Sequence, residues 1–248
     1  MNYIAFYMVI LLSNIIQGIT GFAGTILAMP PSLMLVGYDV AKPVLNVLGL
    51  FAGVYVLMIH GKHVSWKEFR KIVAVMTVGI IAGIFLKSLF AGKEIILYKL
   101  LGIFVIWLSI KGYYRLVKQE AKEAVQRSGT GLNVKSVLLL VGSGIVHGMF
   151  VSGGPLLIGY LSGVIKEKTS FRATISTVWI VLNTIIMIDD IRNGLWNPQL
   201  IKVQIISIPF LIGGMVIGTK LYKTMSQQVF MKLTYILLFI SGISLLIK

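Results

Sequence analysis

Long apolar stretches separated by short polar ones run along the whole chain, and this pattern predicts an all-α polytopic membrane protein. Runs of about 17–22 apolar residues recur, as bilayer-spanning helices require, and they are continuous where the strands of a transmembrane barrel would alternate. The pattern predicts about 8–10 membrane helices. The ten apolar segments are approximately 3–19, 22–36, 44–59, 72–90, 95–110, 136–150, 154–165, 174–188, 201–218 and 229–247.

Two pairs of neighbouring segments are too short for two complete crossings. Only 30 residues run from Ser136 to Ile165, whereas two crossings and a turn need about 40 residues. The pair within 3–36 is tight for the same reason, and its Pro30-Pro31 should bend the second segment. We therefore expect each pair to be a short broken or re-entrant helical hairpin, interrupted at Gly21–Gly24 and at Ser152–Pro155. Unwound backbone at membrane depth needs protein or a wet cavity around it, so both breaks should face the interior.

The basic residues predict the orientation of the chain. Sixteen of the 23 Lys and Arg residues lie in four loops on the side opposite the N-terminus, so that side should be cytoplasmic and both termini should lie outside. Each half has an odd number of segments, which predicts that the halves are inverted repeats. The expected divisions are a first transmembrane repeat at 1–112, a cytoplasmic linker at 113–134 and a second transmembrane repeat at 135–248.

Composition narrows the functional classes. The chain is 57% hydrophobic and 12% charged, with a formal net charge of +15 and no cysteine. Basic residues in loops of a membrane protein orient it and contact anionic headgroups, so we do not expect nucleic-acid binding. The absence of cysteine excludes disulfides, thiolate metal sites and cysteine nucleophiles. The first basic residue is Lys42, so we expect the opening segment to stay in the mature protein rather than to be a cleaved signal peptide.

A glycine-rich motif occurs twice. Residues 17–27 (Gln-Gly-Ile-Thr-Gly-Phe-Ala-Gly-Thr-Ile-Leu) are echoed by residues 147–157 (His-Gly-Met-Phe-Val-Ser-Gly-Gly-Pro-Leu-Leu), and the offset of 130 residues also relates Lys42 to Arg172. Internal repetition in so apolar a chain is typical of two-fold membrane transporters, whose substrates bind at interrupted helices.

The first motif and its continuation, Gly21-Phe-Ala-Gly24-Thr-Ile-Leu-Ala-Met-Pro30, resemble the glycine-rich signature of the sulfite exporter TauE/SafE family. The second motif, followed by Phe171-Arg-Ala-Thr174, is similar to that family's second repeat. The resemblance covers essentially the whole chain. It implies a multi-pass transporter of the bacterial plasma membrane for small anions, chiefly sulfite, organosulfonates and related organosulfur or carboxylate compounds, usually moved outward. Ala23, Thr25, Val151, Ser152 and Pro155 depart from the family's usual glycines.

Helix breaks rich in glycine can bind an oxyanion. Backbone amides at a helix start lack intrahelical partners, the helix dipole is positive there, and glycine lets a ligand approach closely. We expect the amides of 21–25 and 152–156 to face each other around the anion. The alternative is close packing of helices through small residues. The candidate substrate-binding residues are Gln17, Thr20, Gly21, Gly24, Thr25, Asn46, His147, Ser152, Gly153, Gly154 and Asn183.

Several of these polar residues have an alternative role. His147 could hold the anion or carry a coupling proton, or it could be a neutral histidine bonded to a neighbouring helix. Asn46 and Asn183 could line the cavity or form interhelical hydrogen bonds. Lys42 and Arg172 could guide anions at each vestibule, or their side chains could extend to the lipid headgroups.

Acidic residues are absent from the middle of every predicted segment, which favours anions over cations as the solute. We expect Asp189 and Asp190 at an extracellular helix end near Arg192. The leading function is a secondary transporter working by alternating access, and an anion-selective channel is the alternative. No motif of a metalloprotease, an aspartyl intramembrane protease or a P-loop occurs, so we expect no enzyme, metal or cofactor. A lipid scramblase or a structural role stays open, as do coupling to protons or sodium and assembly as a homodimer.

Overall fold

The computed structural model describes residues 2–89, 94–120, 134–151 and 153–247. The described residues form ten α-helices and one short 3₁₀ turn, Gly61–His63, with no β-strand among them. The helices are α1 Tyr3–Thr20, α2 Ala23–Val36, α3 Tyr38–His60, α4 Trp66–Leu89, α5 Glu94–Glu120, α6 Val134–Phe150, α7 Gly154–Val164, α8 Lys168–Arg192, α9 Pro198–Thr224 and α10 Gln227–Ile247.

Each predicted apolar segment lies in one helix, so the prediction of an all-α chain is confirmed. Among the described residues, five helical stretches are long and apolar enough to cross a membrane. These stretches are Tyr3–Thr20, Tyr38–His63, Trp66–Leu86, Lys168–Arg192 and Pro198–Thr224. Shorter apolar helices accompany them at Val134–Met149, Gly154–Val164 and Gln228–Ser244. The chain is therefore a multi-pass membrane protein.

Both short segment pairs are interrupted where the sequence predicts. Helix α1 ends at Thr20 and α2 begins at Ala23, while α6 ends at Phe150 and α7 begins at Gly154. The first pair is a hairpin, because the amide of Asn2 donates to the carbonyl of Leu35 at the far end of α2. Helix α7 has 11 residues, which span about 16 Å at the α-helical rise, well short of a bilayer core of about 30 Å.

The described residues form two compact units that do not coincide with the two halves of the sequence. The first unit comprises the described residues of 1–74 and 172–225, and the second those of 75–171 and 226–248. Each unit therefore combines helices from both sequence halves. Helix α5 continues to Glu120, and residues 121–133 of the expected linker lie outside the described residues. The predicted division at 113–134 stays a prediction.

In the first unit, α1 packs closely on α9, and α3 packs on α8. A Cβ added at Gly18 would lie 3.0 Å from the Cα of Gly218, so only small residues permit the approach of α1 to α9. Helices α3 and α8 run antiparallel: Lys42 near the start of α3 pairs with Asp190 near the end of α8, and Asn46 bonds Asn183 further along.

In the second unit, glycines bring α4 close to α6 and α5 close to α10. A Cβ added at Gly148 would lie 2.5 Å from the carbonyl oxygen of Ile80, and one at Gly102 would lie 2.8 Å from that of Gly242. The ring of Phe171 meets that of Phe230 edge-on, with centroids 6.0 Å apart. Backbone approach through small residues is the packing that lipid-embedded helices favour.

Candidate functional site

The two helix breaks have the same local geometry. Gly21 has a φ of 83° and Val151, 130 residues later, has a φ of 54°. Each residue closes the end of its helix with one hydrogen bond, from the amide of Gly21 to the carbonyl of Gln17 (2.7 Å) and from the amide of Val151 to that of His147 (2.8 Å). The sequence repeat is thus also a repeat of backbone conformation, in which a β-branched valine replaces the glycine.

Side chains of α1 engage the first amides of α2. The hydroxyl oxygen of Thr20 accepts from the amides of Phe22 (3.4 Å) and Ala23 (3.1 Å), and it donates to the carbonyl of Ile16. The amide of Gly24 donates to Oε1 of Gln17 at 2.8 Å. These contacts satisfy amides that would otherwise be unpaired at the helix start. Binding of an anion by the same amides stays a prediction, and it would require Thr20 or Gln17 to release them.

One glycine in each break allows the hairpin to close. A Cβ added at Gly24 would lie 2.6 Å from the Cβ of Gln17, and one at Gly153 would lie 2.8 Å from the Cβ of His147. The close-packing interpretation therefore holds for both glycines. In the second break the residue in this position is Gly153, one place before the glycine that the 130-residue offset pairs with Gly24.

Three candidate residues of the first unit meet around Gly49. The amide nitrogen Nδ2 of Asn46 donates to the backbone carbonyl of Asn183 at 3.0 Å, which confirms an interhelical hydrogen bond. A Cβ added at Gly49 would lie 2.7 Å from Nδ2 of Asn183 and 3.4 Å from the hydroxyl of Thr25. Asn46 and Asn183 are buried. The structure thus brings together candidates from α2, α3 and α8.

Lys42 and Asp190 form a buried ion pair. Nζ of Lys42 contacts Oδ1 of Asp190, and the two side chains are 2% and 1% exposed. The alternative that Lys42 reaches the lipid headgroups is therefore wrong. Asp190 does lie near the end of α8, as expected for a helix end, but the sequence analysis missed its burial and its partner.

Arg172 is also fully buried, so it does not extend to the headgroups either. Its Nη2 donates to the hydroxyl of Thr219 at 2.9 Å, and its guanidinium carbon lies 4.5 Å from the ring centroid of Tyr222. Its aliphatic part adjoins the first break, because a Cβ added at Gly21 would lie 3.2 Å from its Cγ. The carbonyl of Gly21 accepts a long hydrogen bond, 3.4 Å, from the hydroxyl of Ser176.

The second unit contains the remaining candidates. His147 is buried on α6 beside Gly153, and the hydroxyl of Ser143 donates to the carbonyl of Gly153 at 2.7 Å. Gly154 is the first residue of α7, and Ser152 lies outside the described residues. Whether His147 contacts a solute stays a prediction. Within the described part of the chain, no group of three or more His, Cys, Asp or Glu side chains could hold a metal ion.

A sequence signal for two missed residues exists in hindsight. Leu182, Ile186 and Asp190 are all buried and recur every four residues along one face of α8, so the helical period already places Asp190 on the inner face. Ser143 precedes His147 by four residues and corresponds to the buried Ser13 at the 130-residue offset.

Comparison with known proteins gives a match over nearly the whole chain. The model of the family described as sulfite exporter TauE/SafE matches residues 6–245. A curated protein named "Probable inner membrane transporter protein TsaS", from Comamonas testosteroni, is 25% identical over 193 residues, which cover 76% of this chain and 77% of that protein. No solved structure gives a significant match. The family match includes both helix breaks.

Proposed function

Because the chain belongs to the sulfite exporter TauE/SafE family, we propose that it is a secondary transporter of small anions such as sulfite, organosulfonates or related organosulfur and carboxylate compounds. It acts as an exporter by alternating access between inverted repeats, with the anion held at the helix breaks. An anion-selective channel is the second candidate, because a polar path between helices serves either activity.

The observation that carries this proposal is a buried polar face on α1 that ends at the first break. Ser13, Asn14, Gln17 and Thr20 are all buried within a helix that is otherwise apolar enough to cross a membrane. Polar groups are costly at membrane depth unless they face protein or a hydrated path. The face continues to Gly21, where the helix stops, and so supports a solute site at that point.

Charge supports an anion as the solute. The chain carries a formal net charge of +15. Among the described residues of the first unit, the buried carboxylate of Asp190 is neutralised by Lys42, and that of Glu68 contacts Lys71 at 2.7 Å. A cation carrier would need a carboxylate that is available to its solute. The surroundings of the first break offer hydrogen-bond donors and a guanidinium.

The repeated turn supports a two-fold transport mechanism. Gly21 and Val151 adopt the same turn at the 130-residue offset, and α3 and α8, which the same offset relates, run antiparallel. Helices related by an inverted repeat would pack in this way.

Flux into liposomes tests the proposal. Purified protein is reconstituted, and uptake of sulfite, thiosulfate, sulfoacetate, taurine and small carboxylates is compared with protein-free liposomes. We expect saturable flux of at least one oxyanion, accelerated when the same anion is present on the opposite side. Flux without saturation or trans-acceleration would favour the channel, and no flux of any of these anions would contradict both candidates.

The same liposomes test the remaining proposals. Both termini lie outside the plasma membrane, and an imposed proton or sodium gradient drives transport if that ion is coupled. A response to pH alone that disappears on replacement of His147 would support its role as a proton carrier. Crosslinking of the reconstituted protein tests a homodimer.

A further inference from the structure

The guanidinium of Arg172 is a buried positive charge whose neighbours do not neutralise it. The side chain is fully buried, and Nη2 has the neutral hydroxyl of Thr219 as its acceptor. The atoms Nε and Nη1, which carry most of the guanidinium's N–H donors, have no hydrogen-bond partner among the described residues. Buried polar groups are normally hydrogen-bonded, and buried charges are normally paired.

No carboxylate of the described chain pairs with Arg172. Its electrostatic neighbours are the phenols of Tyr222 and Tyr55. Tyr222 stacks under the guanidinium and also meets the ring of His60 edge-on, with centroids 6.1 Å apart. Stacking on an aromatic face attracts a cation but leaves its in-plane N–H groups available.

The internal repeat shows what a neutralised cation looks like in this fold. The 130-residue offset carries Lys42 to Arg172, and it carries His60 to Asp190. Lys42 has its carboxylate in Asp190. At the equivalent place near Arg172 the chain has His60, which cannot supply a negative charge. One end of the α3–α8 pair is therefore neutral, and the other retains a positive charge.

We propose that Arg172 binds the transported oxyanion directly, through the Nε and Nη1 groups that lack an acceptor. This inference rests on the proposed function and assigns its charge-bearing group. A planar guanidinium matches two oxygens of a sulfite, sulfonate or carboxylate group, and its weak hydration makes it suited to a buried site. The anion supplies the negative charge that Asp190 supplies to Lys42.

The position of Arg172 agrees with this role. The Cγ of Arg172 and the hydroxyl of Ser176 adjoin Gly21, whose left-handed conformation ends α1. The hydroxyl of Thr219 accepts from Arg172, so its own proton is available to donate to a bound oxygen. The break in α1 and the buried cation are thus parts of one site within the first unit.

The experiment measures anion binding and flux separately. Wild-type protein, Arg172→Gln, Arg172→Lys and Arg172→Met are purified in detergent with gluconate as the only other anion. Thermal unfolding is then recorded against sulfite, sulfoacetate and acetate. Arg192→Gln is the matched control, because Arg192 is an exposed arginine on the same helix.

We expect anions to raise the unfolding temperature of the wild type and of Arg192→Gln. Arg172→Gln should lose this effect and at least ~10-fold in apparent affinity, the scale of a charge-assisted hydrogen bond. Arg172→Lys should keep flux with a raised KM, because it retains the charge without the planar fork. Arg172→Met should unfold at a higher temperature than the wild type without anion, since an unneutralised buried charge is removed.

Three results would overturn the inference and leave the proposed function intact. They are unchanged anion stabilisation in folded Arg172→Gln, an unchanged KM in Arg172→Lys, and a lower unfolding temperature of anion-free Arg172→Met, which is the result expected of a purely structural arginine. Absence of both binding and flux in the wild type would instead contradict the proposed function itself.

Discussion

Gly21 and Val151 lie 130 residues apart and end their helices in the same left-handed turn, closed by the same hydrogen bond to the fourth residue before. Left-handed backbone costs a residue with a side chain about 1–2 kcal/mol, and a β-branched residue is disfavoured there. The second break therefore keeps a strained conformation that the first break adopts without strain. Such a conformation persists where the surrounding structure requires it.

Replacing Gly21 by alanine should destabilise the protein by about 2 kcal/mol or more. The new Cβ would occupy a left-handed position and would lie 2.7 Å from the hydroxyl of Ser176. Gly213→Ala on α9 is the control, because its Cβ would meet only Leu11 at 3.5 Å, and alanine favours a helix by roughly 0.5–1 kcal/mol. Thermal unfolding in detergent should show opposite signs for the two variants, and equal shifts would contradict the expectation.

Asp190→Asn should destabilise the protein by about 3–5 kcal/mol, because it leaves the charge of Lys42 buried without its counter-ion. The double variant Lys42→Met with Asp190→Leu should recover most of this loss, since no charge remains to be neutralised. Equilibrium unfolding in mixed micelles measures both effects. The neighbouring, partly exposed Asp189 provides a control, and Asp189→Asn should change stability by less than ~0.5 kcal/mol. Similar losses in Asp189→Asn and Asp190→Asn would argue against the buried pair.

Thr20→Val should cost about 1 kcal/mol of stability, while Thr20→Ser should cost little. Valine keeps the shape of threonine but removes the oxygen that accepts from the amides of Phe22 and Ala23. Serine retains that oxygen. Unfolding temperatures of the two variants provide the test. Equal stability of Thr20→Val and the wild type would mean that this contact does not hold the start of α2.

The orientation of the chain can be tested with single cysteines, because the protein has none of its own. A cysteine replacing Ser128 should react with a membrane-impermeant maleimide only after the cells are permeabilised. A cysteine replacing Asn2 should react in intact cells. The positive-inside pattern predicts this difference, and the reverse labelling would show that the termini are cytoplasmic.

Hydropathy predicted the helices well because lipid imposes the same requirement on every spanning segment. The break after Thr20 was found because Gly21 has a clear sequence signal, and the hairpins were found because their length is insufficient for two crossings. Helix ends were less accurate: α3 begins at Tyr38 and α8 at Lys168, each six residues before the predicted apolar segment. Those first turns contain Lys42 and Arg172, whose charges hid them from a hydropathy criterion.

The environment of these two basic residues could not be predicted locally. Lys42 is neutralised by a residue 148 positions away, and only the packing of α3 on α8 brings the two together. The amides at the start of α2 illustrate the same limit. A glycine motif indicates that amides are exposed at a break, but it does not show that Thr20 and Gln17 fold back to engage them.

The difference between the ends of the α3–α8 pair has a directional consequence. Two portions related by exact pseudosymmetry would offer identical electric potentials to solutes arriving from opposite sides of the membrane. Aspartate at position 190 and histidine at position 60 abolish that equivalence, so the local field along the pair acquires a polarity that sequence repetition alone would not give it. Exchanging the side chains at those two positions would reverse this polarity while conserving the overall composition.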